Sequence, residues 1–216
     1  LIGCVLTFNI GTQLVGGFAI YYFSYAIGKP ELFPMFALVS GIAEMLGIFL
    51  FPWLCRHLPR RFTWYIASLF ALACSVVLLA GSIVAPKSGV LVAGAGALLK
   101  FGGGIANGLG TVMLADVVDY GHYKTGKRSE SIIFSVQTML VKFAGAFAGF
   151  FIGVGLSLIG YVPNEIQSEA TVFGLRTLMI GLPVVFLIGS IWVYRQTFRL
   201  HGELHQRVSD FIAKQR

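Results

Sequence analysis

Three ionisable side chains, Glu44, Lys100 and Lys142, stand near the middle of long apolar stretches of the sequence. A charged group at the centre of a membrane costs about 2.5–3.5 kcal/mol on insertion scales, so each of them needs a partner or a task. A carboxylate can form an ion pair with an ammonium group or take up a proton, and an ammonium group can bind a polar ligand. The sequence leaves open whether Glu44 pairs with Lys100, pairs with Lys142 or exchanges a proton.

A polar stripe leads up to Lys142. Ser131, Ser135, Thr138 and Lys142 are spaced so that they lie on one face of a helix, and Gln137 flanks them. Such a stripe is expected to line a bundle interior or a water-filled cavity rather than lipid. Amide, hydroxyl and ammonium groups together donate and accept hydrogen bonds, which suits a hydroxyl-rich ligand such as a sugar. The alternative is that Lys142 neutralises a structural carboxylate and contacts no ligand.

A second polar face surrounds Lys100. Asn107 and Thr111 follow it at helical spacing, so the three side chains share one side of a helix. The glycine run Gly102–Gly104 lies between them. Glycines in a membrane helix let another backbone approach closely or let the helix bend, and close packing is the more common reason for them.

A charged segment, Asp116–Glu130, separates two of the apolar stretches. Asp116 and Asp119 open it, and three basic residues, among them Arg128, follow before the next apolar stretch. Opposite charges at a membrane exit can form ion pairs that hold two helices together and break when the helices part. The segment is therefore predicted to be either a charged gate or a solvated loop.

The elements that must position these groups are long apolar helices. Hydrophobic residues make up 56% of the 216 residues and charged residues 12%, against about 25% charged in soluble domains. About 20 apolar residues cross a membrane as a helix, and runs this continuously apolar exclude the alternating pattern of a β-barrel. We therefore predict an all-α integral membrane protein with six transmembrane helices, at Leu1–Ser24, Leu32–Leu54, Phe62–Val84, Val90–Leu114, Ser131–Ile159 and Leu175–Tyr194.

The basic residues predict the orientation of these helices. Eleven Lys and Arg residues fall on one side of the predicted membrane and three on the other, which places both ends of the chain in the cytoplasm. The net charge of +7 is thus attributed to topology, and no nucleic-acid partner is expected. Three cysteines without metal-type spacing predict neither a disulfide framework nor a metal site. No catalytic residue and no enzymatic activity are expected.

The two ends of the chain carry further expectations. Residues 1–198 are predicted to form the six-helix bundle, and residues 199–216 a cytoplasmic amphipathic tail, because Leu200, Leu204, Val208 and Phe211 recur at helical spacing among charges. A frayed basic tail is the alternative. Leu1 lies already within an apolar run, which indicates a piece of a longer protein.

Four segments of this sequence resemble one family of transporters. FAIYYFSYAIG at Phe18–Gly28, ADVVDYGHYKTGKRSES at Ala115–Ser131, SVQTMLVK at Ser135–Lys142 and IGYVPN at Ile159–Asn164 are similar to the glycoside–pentoside–hexuronide:cation symporters. The resemblance runs from about Phe18 into the tail. It implies a major facilitator fold, in which two six-helix halves surround a central sugar site. This chain would be the C-terminal half, helices seven to twelve.

The resemblance also implies a sugar-binding region. Gln137, Thr138 and Lys142 match positions of that region, and Asn107 stands where the best-matching family member has a sugar-stacking Trp. The substitution at Asn107 removes a stacking surface, which argues against the sugar of that particular member.

A cytoplasmic charged network is implied by the matches at Asp116, Asp119 and Arg128. His122 replaces a Glu of the family member within this network, and Glu44 replaces an uncharged residue. The coupling cation, Na⁺ or H⁺, is expected to bind mainly to acidic residues of the N-terminal half. No other cofactor is implied.

These observations predict secondary active symport of a glycoside, pentoside or hexuronide in the bacterial inner membrane. The two halves would rock about a midplane site that opens alternately to each side. The expected partners are the sugar, the coupling cation, the lipid bilayer and the N-terminal six-helix half. Two alternatives stay open: a transporter of the same fold for a non-sugar solute, and a self-associating six-helix assembly protein or channel subunit.

Overall fold

Six long helices make up the part of the protein that the structure describes. The computed structural model describes residues 1–84, 88–126 and 130–197, and within these ranges it contains helices and no strand. All six are long and apolar enough to cross a membrane, which confirms the all-α membrane fold. They are α1 (Ile2–Tyr21, continued by a π-helical turn Tyr22–Ile27), α2 (Leu32–His57), α3 (Arg60–Val84), α4 (Gly89–Thr125), α5 (Glu130–Leu158) and α6 (Glu169–Thr197).

Two helices extend at least six residues beyond the apolar stretches that predicted them. Helix α4 continues through Asp116 and Asp119 to Thr125, so the prediction that a connecting segment begins at Asp116 is wrong. Gly126, with a left-handed φ of 70°, ends the helix. Helix α6 begins at Glu169, well before Leu175. The physical reason is that hydropathy marks where apolar side chains stop, whereas backbone hydrogen bonds continue into polar sequence.

The helices form an open ring of neighbours. Helix α2 packs mainly on α4, α4 on α3, α3 on α6, α6 on α1, and α1 on α5. Five helices thus follow one another round the bundle in the order α4, α3, α6, α1 and α5, and α2 packs mainly on α4. The first and the last of these five, α4 and α5, contact each other much less than the neighbouring pairs do. The ring is therefore loosest between the two helices that carry most of the predicted site residues.

Close glycine contacts set the crossing of α2 and α4. A β-carbon at Gly104 would overlap the backbone carbonyl oxygen of Glu44, and one at Gly47 would overlap the carbonyl oxygen of Phe101. Within the run, Gly102 faces α3 and Gly103 faces Thr12 of α1. The glycine run thus lets three helices approach α4, so close packing rather than bending accounts for it.

Candidate functional site

A cavity of about 360 Å³ lies in the middle of the bundle, where α4 and α5 pack loosely. This volume is at the lower end of the range of about 300–1,000 Å³ that is usual for small-molecule sites. Helices α1, α2, α4 and α5 each contribute polar side chains to it, and Phe8, Trp64 and other apolar residues form part of its wall. The polar residues are Asn9, Thr12, Gln13, Glu44, Lys100, Asn107, Thr111 and Gln137.

An ion pair between two helices forms one wall of the cavity. Lys100 Nζ of α4 lies 3.5 Å from Glu44 Oε2 of α2, and Asn107 Nδ2 donates to Glu44 Oε1 at 3.1 Å. The side chains of Lys100 and Glu44 are 19% and 31% exposed. Glu44 therefore pairs with Lys100 and not with Lys142, and each oxygen of its carboxylate has its own donor. Lys100, Asn107 and Thr111 all line this cavity, on the helix face that their spacing predicts.

Neutral hydrogen bonds connect the opposite wall. Gln137 Nε2 of α5 donates to Thr111 Oγ1 of α4 at 2.9 Å, and the Thr111 hydroxyl donates to the backbone carbonyl of Asn107 at 3.2 Å. Gln13 of α1 donates to the carbonyl oxygen of Val141 at 3.3 Å. Hydrogen bonds between polar side chains therefore join the loosely packed helices α4 and α5. The hydroxyl groups of a ligand could bind these side chains in place of their present partners.

The other predicted ligand contacts lie in a different place. Thr138 and Lys142 line an open groove of about 610 Å³ on α5, together with Ser135 and two large apolar side chains, Met139 and Phe143. All five side chains are exposed. Among the described residues, the polar stripe on α5 is thus turned away from the other five helices.

The four predicted sugar-contacting residues are therefore divided between two sites. Asn107 and Gln137 belong to the enclosed cavity, and Thr138 and Lys142 belong to the open groove. The reason is helical geometry, because Thr138 is one residue, or about 100°, farther round α5 than Gln137. The two sites adjoin on α5 but do not merge within this chain.

A second ion pair joins α3 and α4 at the end of the bundle that is predicted to be cytoplasmic. The Arg60 guanidinium donates to the carboxylate of Asp116, and the negative charge of Asp119 also acts on Arg60. The side chain of Asp116 is 13% exposed and that of Arg60 33%. Arg128, the third predicted gate residue, lies outside the described residues, as does the predicted tail 199–216.

From the sequence, Arg60 was only one of the eleven basic residues that predict the orientation of the helices. Its position in the first turn of α3 brings it to Asp116 across 56 positions in the chain. Its positive charge was the one feature of the sequence that could have predicted this pair. A basic residue at the end of one helix is a candidate partner for acidic residues at the same end of a neighbouring helix.

A tyrosine cluster ties the opposite end of the bundle together. The Tyr161 hydroxyl donates to the Tyr25 hydroxyl at 3.0 Å, and the backbone N–H of Asn164 donates to the same oxygen at 3.2 Å. The two rings meet edge to face with centroids 5.2 Å apart. Burial, together with the hydrogen bond to Tyr25, raises the pKa of Tyr161 to about 12. The cluster joins the π-helical turn after α1 to the loop between α5 and α6.

Comparison with known proteins identifies the family. The family described as MFS/sugar transport protein matches residues 1–201, which is nearly the whole chain. A putative 2,3-dihydroxypropane-1-sulfonate exporter of Salmonella typhimurium is 31% identical over 196 residues, covering 89% of this chain and 41% of that protein. The isoprimeverose transporter of Lactiplantibacillus pentosus is 30% identical over 177 residues, covering 82% of this chain and 36% of that protein.

The raffinose carrier protein of Pediococcus pentosaceus is a more distant relative, 26% identical over 209 residues, covering 94% of this chain and 32% of that protein. The chain spans less than half the length of the curated relatives it matches. These relatives are transporters and carriers, not enzymes. Because the family match covers nearly all of a six-helix membrane bundle, the chain belongs to the glycoside–pentoside–hexuronide symporters of the major facilitator superfamily.

Proposed function

We propose that the complete protein is a secondary active symporter that moves a glycoside, pentoside or hexuronide together with Na⁺ or H⁺. The observation that carries this proposal is the polar cavity within the membrane-spanning bundle, which Asn107, Thr111 and Gln137 line from two loosely packed helices. Polar groups within a membrane bundle are costly unless a partner or a ligand satisfies them, so the concentration of hydrogen-bonded polar side chains at one place supports a binding role.

In this proposal the open groove completes the site. Thr138 and Lys142 would face the N-terminal half near the membrane midplane. The sugar would then lie between the two halves and contact α5 on both of its polar sides, the one in the cavity and the one in the groove. Rocking of the halves would then expose the sugar alternately to each side. The ion pair of Arg60 and Asp116 would help to close the cytoplasmic side, and the coupling cation would bind mainly to the N-terminal half.

The proposal also includes the membrane in which the protein lies and its orientation there. A multi-pass protein of this family would lie in the bacterial inner membrane, with both ends of this chain in the cytoplasm, as the distribution of basic residues predicts.

The proposal is tested by substitutions on α5 in the complete protein, reconstituted into vesicles with an imposed Na⁺ or H⁺ gradient. Lys142→Ala and Gln137→Ala should abolish or greatly reduce the accumulation of labelled sugar. Phe150→Ala is the matched control, because Phe150 lies on the same helix with a side chain that is 62% exposed. Uptake that is unchanged in both polar variants would refute a sugar site on this helix.

A non-sugar solute is the second candidate, and one observation favours it. A relative 31% identical to this chain is named as a putative exporter of 2,3-dihydroxypropane-1-sulfonate, a three-carbon sulfonate. Competition between labelled glycoside and unlabelled dihydroxypropane sulfonate for binding to the purified complete protein distinguishes the two. Displacement by the sulfonate together with weak binding of every glycoside tested would favour the non-sugar solute.

A further inference from the structure

Among the described residues, Glu44 and Lys100 are the only charged side chains that line the cavity, and no histidine, cysteine or tyrosine among them lines it. The helices that contact α2 most extensively are α4, α3 and α1. Helix α4 presents Lys100 and Asn107 to Glu44. Helix α1 has no charged residue, the charges of α3 are confined to its first turn, and Lys142 of α5 lies in the separate groove.

Glu44 uses more of its hydrogen-bonding capacity within the pair than Lys100 does. The carboxylate of Glu44 accepts from Asn107 at 3.1 Å as well as from Lys100 at 3.5 Å. The ammonium group of Lys100 has three N–H donors, and 3.5 Å is longer than the 2.7–3.2 Å usual for a hydrogen bond to oxygen. Within the described part of the chain, Glu44 is the one hydrogen-bond acceptor that Lys100 reaches. Lys100 therefore has donors left for a ligand in the cavity.

We propose that Lys100 binds the acidic group of an anionic, hydroxyl-rich substrate, and that Glu44 takes up the proton that is moved with it. This inference rests on the proposed function, narrows its substrate class to sugars that carry a carboxylate or a sulfonate, and assigns the coupled proton to Glu44 of this chain instead of to the N-terminal half. The neutral groups of Asn107, Thr111 and Gln137 bind the hydroxyls, while the charged wall distinguishes acidic from neutral sugars.

Charge balance couples the binding of the proton to Glu44 with the binding of the anionic sugar to Lys100. A proton on Glu44 removes the negative charge that compensates Lys100, and an uncompensated ammonium group inside a membrane is unfavourable. A carboxylate or sulfonate on Lys100 restores neutrality. Each ligand thus favours the binding of the other, and this coupling is reciprocal. The proton enters with the anion on one side and leaves Glu44 on the other, where the pair of Glu44 and Lys100 forms again.

The test measures substrate affinity in the purified complete protein at several pH values. The probes are methyl glucuronide, a 6-sulfonated methyl glucoside and neutral methyl glucoside. Their affinities compare a sugar with a carboxylate, a sugar with a sulfonate and an uncharged sugar. The wild-type protein should bind at least one acidic probe about tenfold or more tightly than the neutral one, the size of one charge-assisted hydrogen bond, and more tightly at low pH. Lys100→Gln should lose this preference, so that the ratio of its affinities for the acidic and the neutral probe falls to about one.

The variant Glu44→Gln imitates the protonated carboxyl group. It should bind the acidic probe with an affinity that no longer depends on pH, and should exchange labelled for unlabelled probe but not accumulate it in response to a proton gradient. Where a single variant unfolds, Glu44→Gln/Lys100→Gln removes both charges together, and it should bind acidic and neutral probes alike.

Two results would overturn the inference. One is a wild-type protein that binds neutral and acidic sugars equally well, and the other is an acid preference that survives Lys100→Gln or the double variant. In either case sugar binding itself would still support the proposed function. A complete protein that binds none of the sugars would refute the proposed function as well.

Discussion

The substitution Gly104→Ala tests how closely α2 and α4 must approach to form the cavity wall. The added β-carbon would overlap the carbonyl oxygen of Glu44 and lie 2.9 Å from its carbonyl carbon and 3.1 Å from the backbone nitrogen of Ile48. Carbon atoms in contact prefer about 3.5–4.0 Å, so the helices must separate by at least about 0.6 Å. All three obstacles are backbone atoms of α2, and no change of side-chain rotamer can relieve them.

The expected cost follows from these distances. Overpacking of this kind costs about 1–3 kcal/mol, and the replacement of a helical glycine by alanine returns about 0.5–1 kcal/mol. Gly104→Ala should therefore lower the free energy of unfolding by about 0–2.5 kcal/mol, and by about 1–3 kcal/mol relative to a glycine-to-alanine change that causes no overlap. Gly94→Ala is the control on the same helix, because no atom lies within 4 Å of its added β-carbon, and it should be neutral or slightly stabilising.

Both variants can be measured by reversible unfolding of the complete protein in mixed micelles of increasing SDS content, with tryptophan fluorescence as the readout. The separation of the helices should also lengthen the distance between Glu44 and Lys100, so Gly104→Ala should weaken substrate binding whereas Gly94→Ala should not. A Gly104→Ala protein as stable as the Gly94→Ala protein, with unchanged binding, would refute the close crossing of α2 and α4.

Three further predictions concern the two ends of the bundle. A cysteine at Lys29 should react with an impermeant maleimide in sealed cells and one at Lys124 only after the cells are opened; labelling at Lys124 in sealed cells would reverse the orientation. Arg60→Gln should impair accumulation more than sugar binding, because it removes the guanidinium that pairs with the partly buried carboxylate of Asp116, and equal loss of both would contradict a gate. Tyr161→Phe should cost about 0.5–1.5 kcal/mol of stability through the lost hydroxyl hydrogen bond. Because the pKa of Tyr161 is raised from 10.0 to about 12, the hydroxyl contributes fully below pH 10 and its contribution is lost between pH 10 and 12. A stability profile over that range identical in wild-type protein and Tyr161→Phe would argue against the bond.

The six membrane helices were predictable because the membrane imposes a simple condition on the sequence. Each crossing needs a long apolar run, and every run in this chain is separated from the next by charged or turn-forming residues. The same condition made Glu44, Lys100 and Lys142 conspicuous, since a charge within such a run must have a reason. Spacing along α4 was also sufficient to place Lys100, Asn107 and Thr111 on one face.

Contacts between helices were less predictable. The choice of Lys100 rather than Lys142 as the partner of Glu44 depends on the crossing of α2 and α4, which the glycines at 47 and 104 determine from both sides. The pairing of Arg60 with Asp116 depends on α4 remaining helical beyond its apolar residues. Neither the crossing nor the continuation can be read from hydropathy.

The division of the predicted sugar contacts had a similar cause. Gln137 and Thr138 are adjacent in sequence, so a motif that contains both says nothing about which of them faces the enclosed cavity. Their placement depends on the rotation of α5 about its own axis, which its contact with α1 determines. Of the described residues of that helix, Leu140, Ala144, Ala148, Gly155 and Leu156 are buried.

The most direct test of the proposed half-transporter is gradient-driven uptake of labelled sugar into vesicles that contain either this chain alone or this chain together with the N-terminal half. The open groove with Thr138 and Lys142 and the single intramembrane acid, Glu44, both require a second half to complete the site. The chain alone should insert into the membrane and accumulate no sugar under an Na⁺ or H⁺ gradient, and co-expression of the two halves should restore accumulation. Robust ion-driven uptake by this chain alone would contradict the account and would indicate that two copies of the chain form the transporter.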